Sequence, residues 1–255
     1  KMKDQIVILK LFLILFFTPF ISSSSPNCHK TESRQYILTR YFDHHQHFNE
    51  YSFRRYLSSF ANCESPIPSL SITSRDLIGE GYHRDLFSTF KLTNHSNSCK
   101  PILIEILPPS IFADPFELQR RRHRGDFIDA YVTGDTNLEL PAFLSNQTLV
   151  EIHVNINRNQ IDEIGVHVPV HARYAPLVED GYYVAEFEPP ILLMNCSSGK
   201  LEHNLCIRKV HFDGRISWKI PSGKMSHANL VSIVTFFSSC SAAFYIVYVS
   251  LKRRR

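Results

Sequence analysis

The sequence predicts an all-β fold, an antiparallel β-sandwich-like domain, followed by one C-terminal transmembrane helix. From Ser69 onward, short apolar or alternating segments are separated by Pro, Gly and Asn, with no long amphipathic helix between them. Many short strands of this kind are typical of packed antiparallel sheets. Near the end, residues 230–251 carry no charge, and at about 1.5 Å per residue they can cross a bilayer core of roughly 30 Å.

Residues 1–24 have the order of a secretory signal peptide, with lysines first, then an apolar run at 11–17, then a proline and small residues. We expect cleavage near Ser24. Residues 25–68 are rich in aromatic residues and arginine without a clean period, which predicts an irregular or partly helical extension. Its histidines, His44, His45 and His47, have no further ligands nearby and are interpreted as part of a solvated loop.

Residues 69–227 are predicted to form one lumenal β domain. Val150, Ile152 and Val154 alternate with polar residues, which is the period of a half-buried strand. The eight candidate strands are residues 70–77, 86–92, 102–107, 127–132, 149–156, 166–174, 182–187 and 215–220.

The membrane span is predicted at residues 228–251, and the cations of residues 252–255 form a cytosolic basic tail. A basic tail beside a span belongs on the cytosolic side, which predicts a single-pass type I protein with its bulk in the secretory lumen. Within the span, Ser239 and Ala243 are small residues four positions apart, a spacing that lets two membrane helices approach closely. We therefore predict that this patch contacts a partner helix.

The positive charge of the chain belongs to its ends. Seven of the 28 basic residues lie in the predicted signal and tail, which leaves 21 basic against 23 acidic residues in the lumenal part. This balance argues against a nucleic-acid-binding domain. The run at residues 120–124 contains four arginines without interleaved aromatic residues and is interpreted as a solvated loop.

Three sequons and five cysteines fit the secretory compartment. The sequons at Asn94, Asn146 and Asn195 predict N-glycans on surface loops, with the first two favoured because Asn195 adjoins a cysteine. Five lumenal cysteines leave at least one thiol free or paired with another chain. The disulfides that we predict are Cys196 with Cys206, which closes a short loop, and Cys63 with Cys99.

The segment VHVPVHARY, residues 166–174, has its histidines and Arg173 on one side of an alternating pattern. His167 and His171 are about 13 Å apart on a strand and cannot share one metal ion. Pro169 disfavours a helix and predicts a sheet edge or a bulge, because proline cannot donate to the ladder. The sequence therefore predicts a docking face here, with no metal site and no cofactor.

No catalytic motif accompanies these residues. The triplet His-Arg-Asp in GYHRDL, residues 81–86, lacks the phosphate-binding loop and the other segments of a kinase. The segment LPPSIFADPFELQ, residues 107–119, is a predicted loop with an unusual amount of apolar surface. Two interpretations remain open, a loop that packs back on the sandwich and a loop that contacts another protein.

Taken together, GYHRDL, LPPSIFADPFELQ and HVPVHARYAP, in this order before one C-terminal span, resemble the PIG-X family. That family is the non-catalytic partner of the first GPI mannosyltransferase. The likeness covers roughly residues 70–255, and residues 27–68 match none of its motifs. It implies a glycosylated type I protein of the endoplasmic reticulum membrane that stabilises a multi-spanning catalytic subunit of the PIG-M type. That subunit adds the first mannose during GPI-anchor biosynthesis.

By this resemblance the chain is not an enzyme, and its functional residues are those that contact the partner. The partner-binding candidates are His83, Arg84, Phe112, Asp114, Pro115, Phe116, Glu117, His171, Arg173, Tyr174, Ser239 and Ala243. Two other classes of protein share some of these features. One is a cell-surface adhesion or receptor-type β-sandwich glycoprotein, and the other is a lumenal hydrolase that pairs His171 with an acidic residue.

Overall fold

The structure is a computed structural model that describes residues 36–59, 69–93, 99–155, 163–197, 203–207 and 215–253. The predicted signal peptide, the sequon at Asn94 and Cys63 lie outside the described residues. The elements, in chain order, are α1 (Ile37–Phe42), α2 (Glu50–Ser58), β1 (Ser69–Ile78), β2 (His83–Thr93), β3 (Cys99–Leu107), β4 (Ile111–Phe112), α3 (Pro115–Arg124), β5 (Asp129–Gly134), β6 (Thr148–His153), β7 (Ile164–Ala172), β8 (Tyr182–Phe187), β9 (Ile191–Ser197), β10 (His203–Ile207), β11 (Ile216–Pro221) and α4 (Ala228–Lys252). Short 3₁₀ turns at Ala142–Leu144 and Met225–His227 precede β6 and α4.

Two antiparallel sheets form the body of the domain, which confirms the predicted fold class. One sheet has four strands in the order β1-β2-β7-β4, and the other has five strands in the order β10-β9-β3-β6-β5. A third, two-stranded sheet pairs β11 with β8. One apolar core draws on all three sheets, with Leu86 and Val168 from the first, Leu103 and Val150 from the second, and Trp218 from the third.

The five-stranded sheet is covered on both faces. Its second face packs against α1 and α2, so that Ile104 and Leu193 share a core with Tyr41 and Phe53. This second layer explains why β3 is almost continuously apolar and buried. The helices come from the segment for which the sequence predicts an irregular or partly helical extension.

Glu151 shows how the helical layer is joined to the sheet. Its fully buried carboxylate accepts backbone N–H bonds from Ile37 at 3.1 Å and Leu38 at 2.9 Å, and it lies 2.9 Å from the His153 ring. The first N–H groups of a helix have no partner within the helix, so an acidic group there satisfies them and complements the helix dipole. The prediction that β6 is half-buried was therefore wrong, because its polar side faces the helices.

A buried ion pair crosses between the two main sheets. Arg75 on β1 donates to the Glu105 carboxylate on β3 at 2.5 Å and to the Glu188 carbonyl at 2.9 Å. Neither charged side chain is exposed. Burial raises the pKa of the Glu105 carboxyl, and the guanidinium of Arg75 offsets part of that rise.

Pro169, predicted at a sheet edge or a bulge, lies on β7 between β2 and β4, where its side toward β4 has no strand partner among the described residues. β2 pairs with β7 from His83 to Phe90, with Asp85 opposite Pro169. β4 pairs with only Ala172 and His171, so it does not extend to the proline. Val166, Val168 and Val170 point into the core, as the alternation predicts.

The C-terminal helix α4 is long and apolar enough to cross a membrane, and nearly all of its side chains are exposed. Hydrogen bonds tie the segment before it to the domain. The Val178 N–H donates to the Gly223 carbonyl at 3.1 Å, and the Val178 carbonyl accepts from the Met225 N–H at 3.0 Å. The Ser222 hydroxyl donates to the Pro176 carbonyl at 2.5 Å.

Candidate functional site

Three segments that are distant in sequence meet at one corner of the four-stranded sheet. His83 begins β2, His171 lies directly opposite it near the end of β7, and Phe112 on β4 pairs with His171 from the other side. Glu117, in the first turn of α3, reaches the two histidines. The corner therefore contains one residue or more from each of the three motifs on which the family resemblance rests.

The position of Glu117 follows from the way α3 begins. Asp114 is its N-cap, and its carboxylate accepts the Phe116 N–H at 2.9 Å. Pro115 follows as the first helical residue, where its missing N–H costs nothing. Glu117 is thus the third helical residue, and it points back toward the sheet. The prediction of a loop was wrong for residues 115–119, although Asp-Pro-x-Glu is an N-terminal helix signature.

The histidine rings are stacked beside the Glu117 carboxylate. The ring centroids of His83 and His171 lie 4.4 Å apart with planes only 3° from parallel, and Phe112 stacks on His171 at 5.1 Å. The His171 Nε2 is 2.9 Å from one carboxylate oxygen of Glu117, and the His83 Nε2 is 3.3 Å from the other. The carboxylate therefore bridges two strands, and α3 is joined to the sheet through it.

Arg173 lies behind this corner and is buried. Its guanidinium donates to the carbonyls of Asn137, Leu140 and Asp135, and it lies 4.6 Å from the centroid of the Phe112 ring. Burial lowers the pKa of Arg173, and the Asp135 carboxylate opposes that shift. The prediction that Arg173 is on the exposed side of the strand was wrong, because the loop of residues 135–140 folds over it. Arg173 supports the corner from inside.

The arginine run at residues 120–124 is helical, which corrects the prediction of a solvated loop. It forms the last turn of α3, where cations complement the helix dipole, and Gly125 ends the helix with φ +85°. Arg121 donates to the Asp85 carboxylate of β2 at 2.5 Å, and Arg122 lies 3.2 Å from the Asp129 carboxylate. These ion pairs hold α3 against the sheets, and sequence reasoning missed them.

The ligand atoms of His83, Glu117 and His171 lie within 4.8 Å of one another, close enough for a metal ion. For residues 166–174, the sequence-based exclusion of a metal considered only His167 and His171, which share a strand. His167 stacks instead on Phe87, with centroids 4.3 Å apart. The site thus uses one histidine of the segment and takes its other two members from elsewhere in the chain.

Exposed apolar side chains flank the corner. Phe116 is 71% exposed beside Glu117, and Tyr174 is 77% exposed beside Arg173. Leu138, Phe143 and Leu144 are also exposed. Phe143 and Leu144 belong to the 3₁₀ turn that begins at Ala142, whose N–H donates to the Tyr174 carbonyl at 3.0 Å. By contrast, Ile111, Phe112 and Leu118 are buried, so most of the apolar residues of residues 107–119 pack back on the sandwich.

The other predicted partner residues lie apart from this corner. Arg84 lies over the Trp218 ring at 5.0 Å, on the core side of β2. Ser239 and Ala243 are exposed on α4, and the Ser239 hydroxyl donates to the Thr235 carbonyl at 2.8 Å. Their contact with a partner helix stays a prediction.

The sequons and cysteines are described in part. Asn146 is exposed in the loop before β6, whereas Asn195 is half-buried on β9, so it does not lie in the surface loop that its sequon predicts. Cys99 is disulfide-bonded. The backbone register sets Cys196 opposite Cys99 and Asn204, and Cys206 opposite Met194. Both predicted disulfides stay predictions.

Comparison with known proteins identifies one family. A family model described as PIG-X / PBN1 matches residues 79–251. The chain is similar to the proteins named GPI alpha-1,4-mannosyltransferase I, stabilizing subunit, of Mus musculus and Rattus norvegicus, with 31% identity over 129 residues in both. The Homo sapiens protein of the same name is 30% identical over 129 residues. These residues are 49% of this chain and 50–51% of the relatives, so the chain spans about half the length of the curated relatives it matches.

Proposed function

Because the chain belongs to the PIG-X / PBN1 family, we propose that it is the non-catalytic, stabilising subunit of a GPI mannosyltransferase I complex. The observation that carries the proposal is the extent of the family match, which runs from the turn before β2 to the end of α4. That range includes every residue of the corner at His83, Glu117 and His171 as well as the membrane helix. The names of three similar proteins give the same role.

The partner in this proposal is the multi-spanning catalytic subunit of the PIG-M type, which adds the first mannose during GPI-anchor biosynthesis. The location is the membrane of the endoplasmic reticulum, with type I orientation and the β domain in the lumen. The C-terminal helix and the cations that follow it support this orientation, because a basic flank belongs on the cytosolic side.

The lumenal contact in this proposal uses the exposed apolar residues beside the corner. Phe116 on α3 and Tyr174, two residues after the end of β7, are large and exposed, and aromatic residues of this kind dominate protein interfaces. Asp114, Pro115 and Glu117 set the position of Phe116, while Arg173 sets the position of the chain before Tyr174. His83, Phe112 and His171 join the two halves of this surface.

A catalytic role for the corner has less support. Glu117 beside His171 resembles an acid and base pair. However, in the described part of the chain no serine or cysteine side chain is in hydrogen-bond contact with either histidine. A nucleophile within hydrogen-bond reach of the base is the signature of covalent hydrolysis. The contacts of Glu117 instead join a helix to a sheet.

The proposal is tested in cells that lack this subunit. Expression of the chain is expected to restore GPI-anchored proteins at the cell surface and to raise the level of the catalytic subunit, which co-purifies with it. Its glycans are expected to stay sensitive to endoglycosidase H. Surface expression with complex glycans and no bound mannosyltransferase would contradict the proposal and favour an adhesion-type protein.

The same cells test the hydrolase alternative with the variant His171→Ala. Restoration of GPI-anchored proteins by this variant would argue against essential chemistry at that residue.

The membrane contact is tested by substituting leucine in the span. The double variant Ser239→Leu, Ala243→Leu is expected to lose the catalytic subunit on co-immunoprecipitation, because bulky side chains keep helices apart. Ser238→Leu with Ala242→Leu is the matched control, since it changes the same residue types at the same spacing about 100° around the helix. Equal recovery of the partner by both double variants would remove the assignment of this patch.

A further inference from the structure

We propose that His83, Glu117 and His171 form a zinc site that joins β2, β7 and α3. Two imidazoles and one carboxylate are a common set of protein ligands for zinc, with a fourth position left to water. The three ligand atoms lie within 4.8 Å of one another before any adjustment. This inference is independent of the proposed function, because it concerns only the chemistry of one corner of the domain.

The distances from the carboxylate are close to those of a tetrahedral ion. Zinc–nitrogen and zinc–oxygen bonds of about 2.0–2.2 Å place neighbouring ligand atoms of a tetrahedron about 3.3–3.6 Å apart. In the structure the His83 Nε2 is 3.3 Å from one Glu117 oxygen, and the His171 Nε2 is 2.9 Å from the other. The carboxylate therefore needs only a small shift, and the larger adjustment is in a histidine ring.

The stacked ring planes show which side chain must turn to bind the ion. An imidazole binds a metal through a lone pair in its own plane, and the His83 and His171 planes are 3° from parallel. The two lone pairs therefore point alongside each other and do not converge. His171 is held between His83 and Phe112, whereas the His83 side chain is 54% exposed and can rotate about its Cβ–Cγ bond. Zinc binding thus replaces the histidine stack with coordination.

The surroundings favour zinc over the harder cations. Magnesium and calcium prefer oxygen ligands and higher coordination numbers, whereas two nitrogens and one oxygen suit zinc and the late transition metals. On binding, both Nε2 atoms must be without a proton, and the protons move to Nδ1 or to solvent. The exposed side of His83 leaves the fourth position open to water.

The test measures Zn²⁺ binding to the detergent-purified full chain, purified through a tag that contains no histidine. Competition with a chromophoric chelator gives the affinity and stoichiometry, and Co²⁺ substitution gives the absorption bands of a tetrahedral site. We expect one Zn²⁺ per chain. His83→Ala is expected to lower the affinity at least about 100-fold, because even loss of an outer-shell partner costs about 10–100-fold.

His83→Ala is the decisive variant, since its exposed side chain can be removed without opening the core. Glu117→Gln is the second variant, and circular dichroism without zinc shows that both remain folded. His167→Ala is the matched control, since it removes a histidine from β7, the strand of His171, and it is expected to keep wild-type affinity. A His44→Ala, His45→Ala, His47→Ala variant removes the other histidine group and is also expected to keep it. The proposal would be overturned if the wild type does not bind Zn²⁺. It would also be overturned if binding is lost only in the His44→Ala, His45→Ala, His47→Ala variant.

Discussion

Glu151 and Glu117 each join a helix to a sheet, but their surroundings are opposite. Glu151 lies on β6, is fully buried, and accepts the first N–H groups of α1. Glu117 lies on α3, is partly exposed, and meets two histidines of the four-stranded sheet. The first junction buries its carboxylate completely, whereas the second leaves its ring nitrogens near the surface. The difference indicates that the helical layer stabilises the fold, while the histidine corner is available to a ligand or a partner.

The largest expected effect is at the buried junction. Glu151→Ala leaves two buried N–H donors without an acceptor, and each unsatisfied donor costs about 1–3 kcal/mol. We expect the free energy of unfolding to fall by about 3–5 kcal/mol, measured by denaturant with the fluorescence of Trp218, the only tryptophan, which is fully buried. Glu50→Ala on α2 is the control, because it removes only an exposed pair with Arg54. A loss of under about 1 kcal/mol at Glu151 would contradict this account.

Arg173 tests the support behind the corner, with the next largest effect. Arg173→Ala removes donors to three carbonyls and the contact with Phe112, which predicts a loss of about 2–3 kcal/mol in the same unfolding measurement. Arg173→Lys is expected to recover little of it, because an ammonium group cannot reproduce the planar fork of the guanidinium. Full recovery by lysine would show that charge alone matters there.

Glu117 is expected to matter less for stability. Glu117→Ala removes a partly exposed carboxylate from two histidines, so we expect a loss of about 1 kcal/mol in metal-free buffer. Recovery of the catalytic subunit by co-immunoprecipitation is expected to fall more than this stability loss explains. Glu163→Ala, an exposed glutamate outside the corner, is the control. A Glu117 variant as unstable as the Glu151 variant would remove the contrast between the two junctions.

The smallest expected effect on stability is at the exposed surface. Phe116→Ser is expected to leave the free energy of unfolding within about 0.5 kcal/mol of wild type, since the side chain is largely exposed. Binding of the catalytic subunit is expected to fall by tenfold or more, roughly 1.4 kcal/mol or above. Tyr51→Ser is the control, because it also removes an exposed aromatic ring but from a different helix, α2. Equal partner recovery by the two variants would place the contact elsewhere.

The strands and the span could be predicted because their signals are local. The alternation at β7 and the apolar run of α4 correctly located these elements, with boundaries within a few residues. β9 and β10 were missed, since short apolar runs without a clear period do not identify a strand. The helix α3 was missed because the prolines and the aspartate at and before its start were read as loop signals, although Asp114, Pro115 and Glu117 are in the positions of a capped helix start.

The sequence by itself determined the all-β class, the C-terminal apolar helix and the three motifs that carry the family likeness. Each of these depends on the periodicity of apolar residues, on the length of an apolar run or on the order of residues in a short motif. All three can be read from the sequence. Only the tertiary structure decided that His171 meets Glu117, 54 positions away, and that Arg173 is buried. Strand register and helix docking bring such residues together, and both are set by the packing of the whole core. The family resemblance could therefore be recognised from the sequence, whereas the corner at His83, Glu117 and His171 could be found only in the structure.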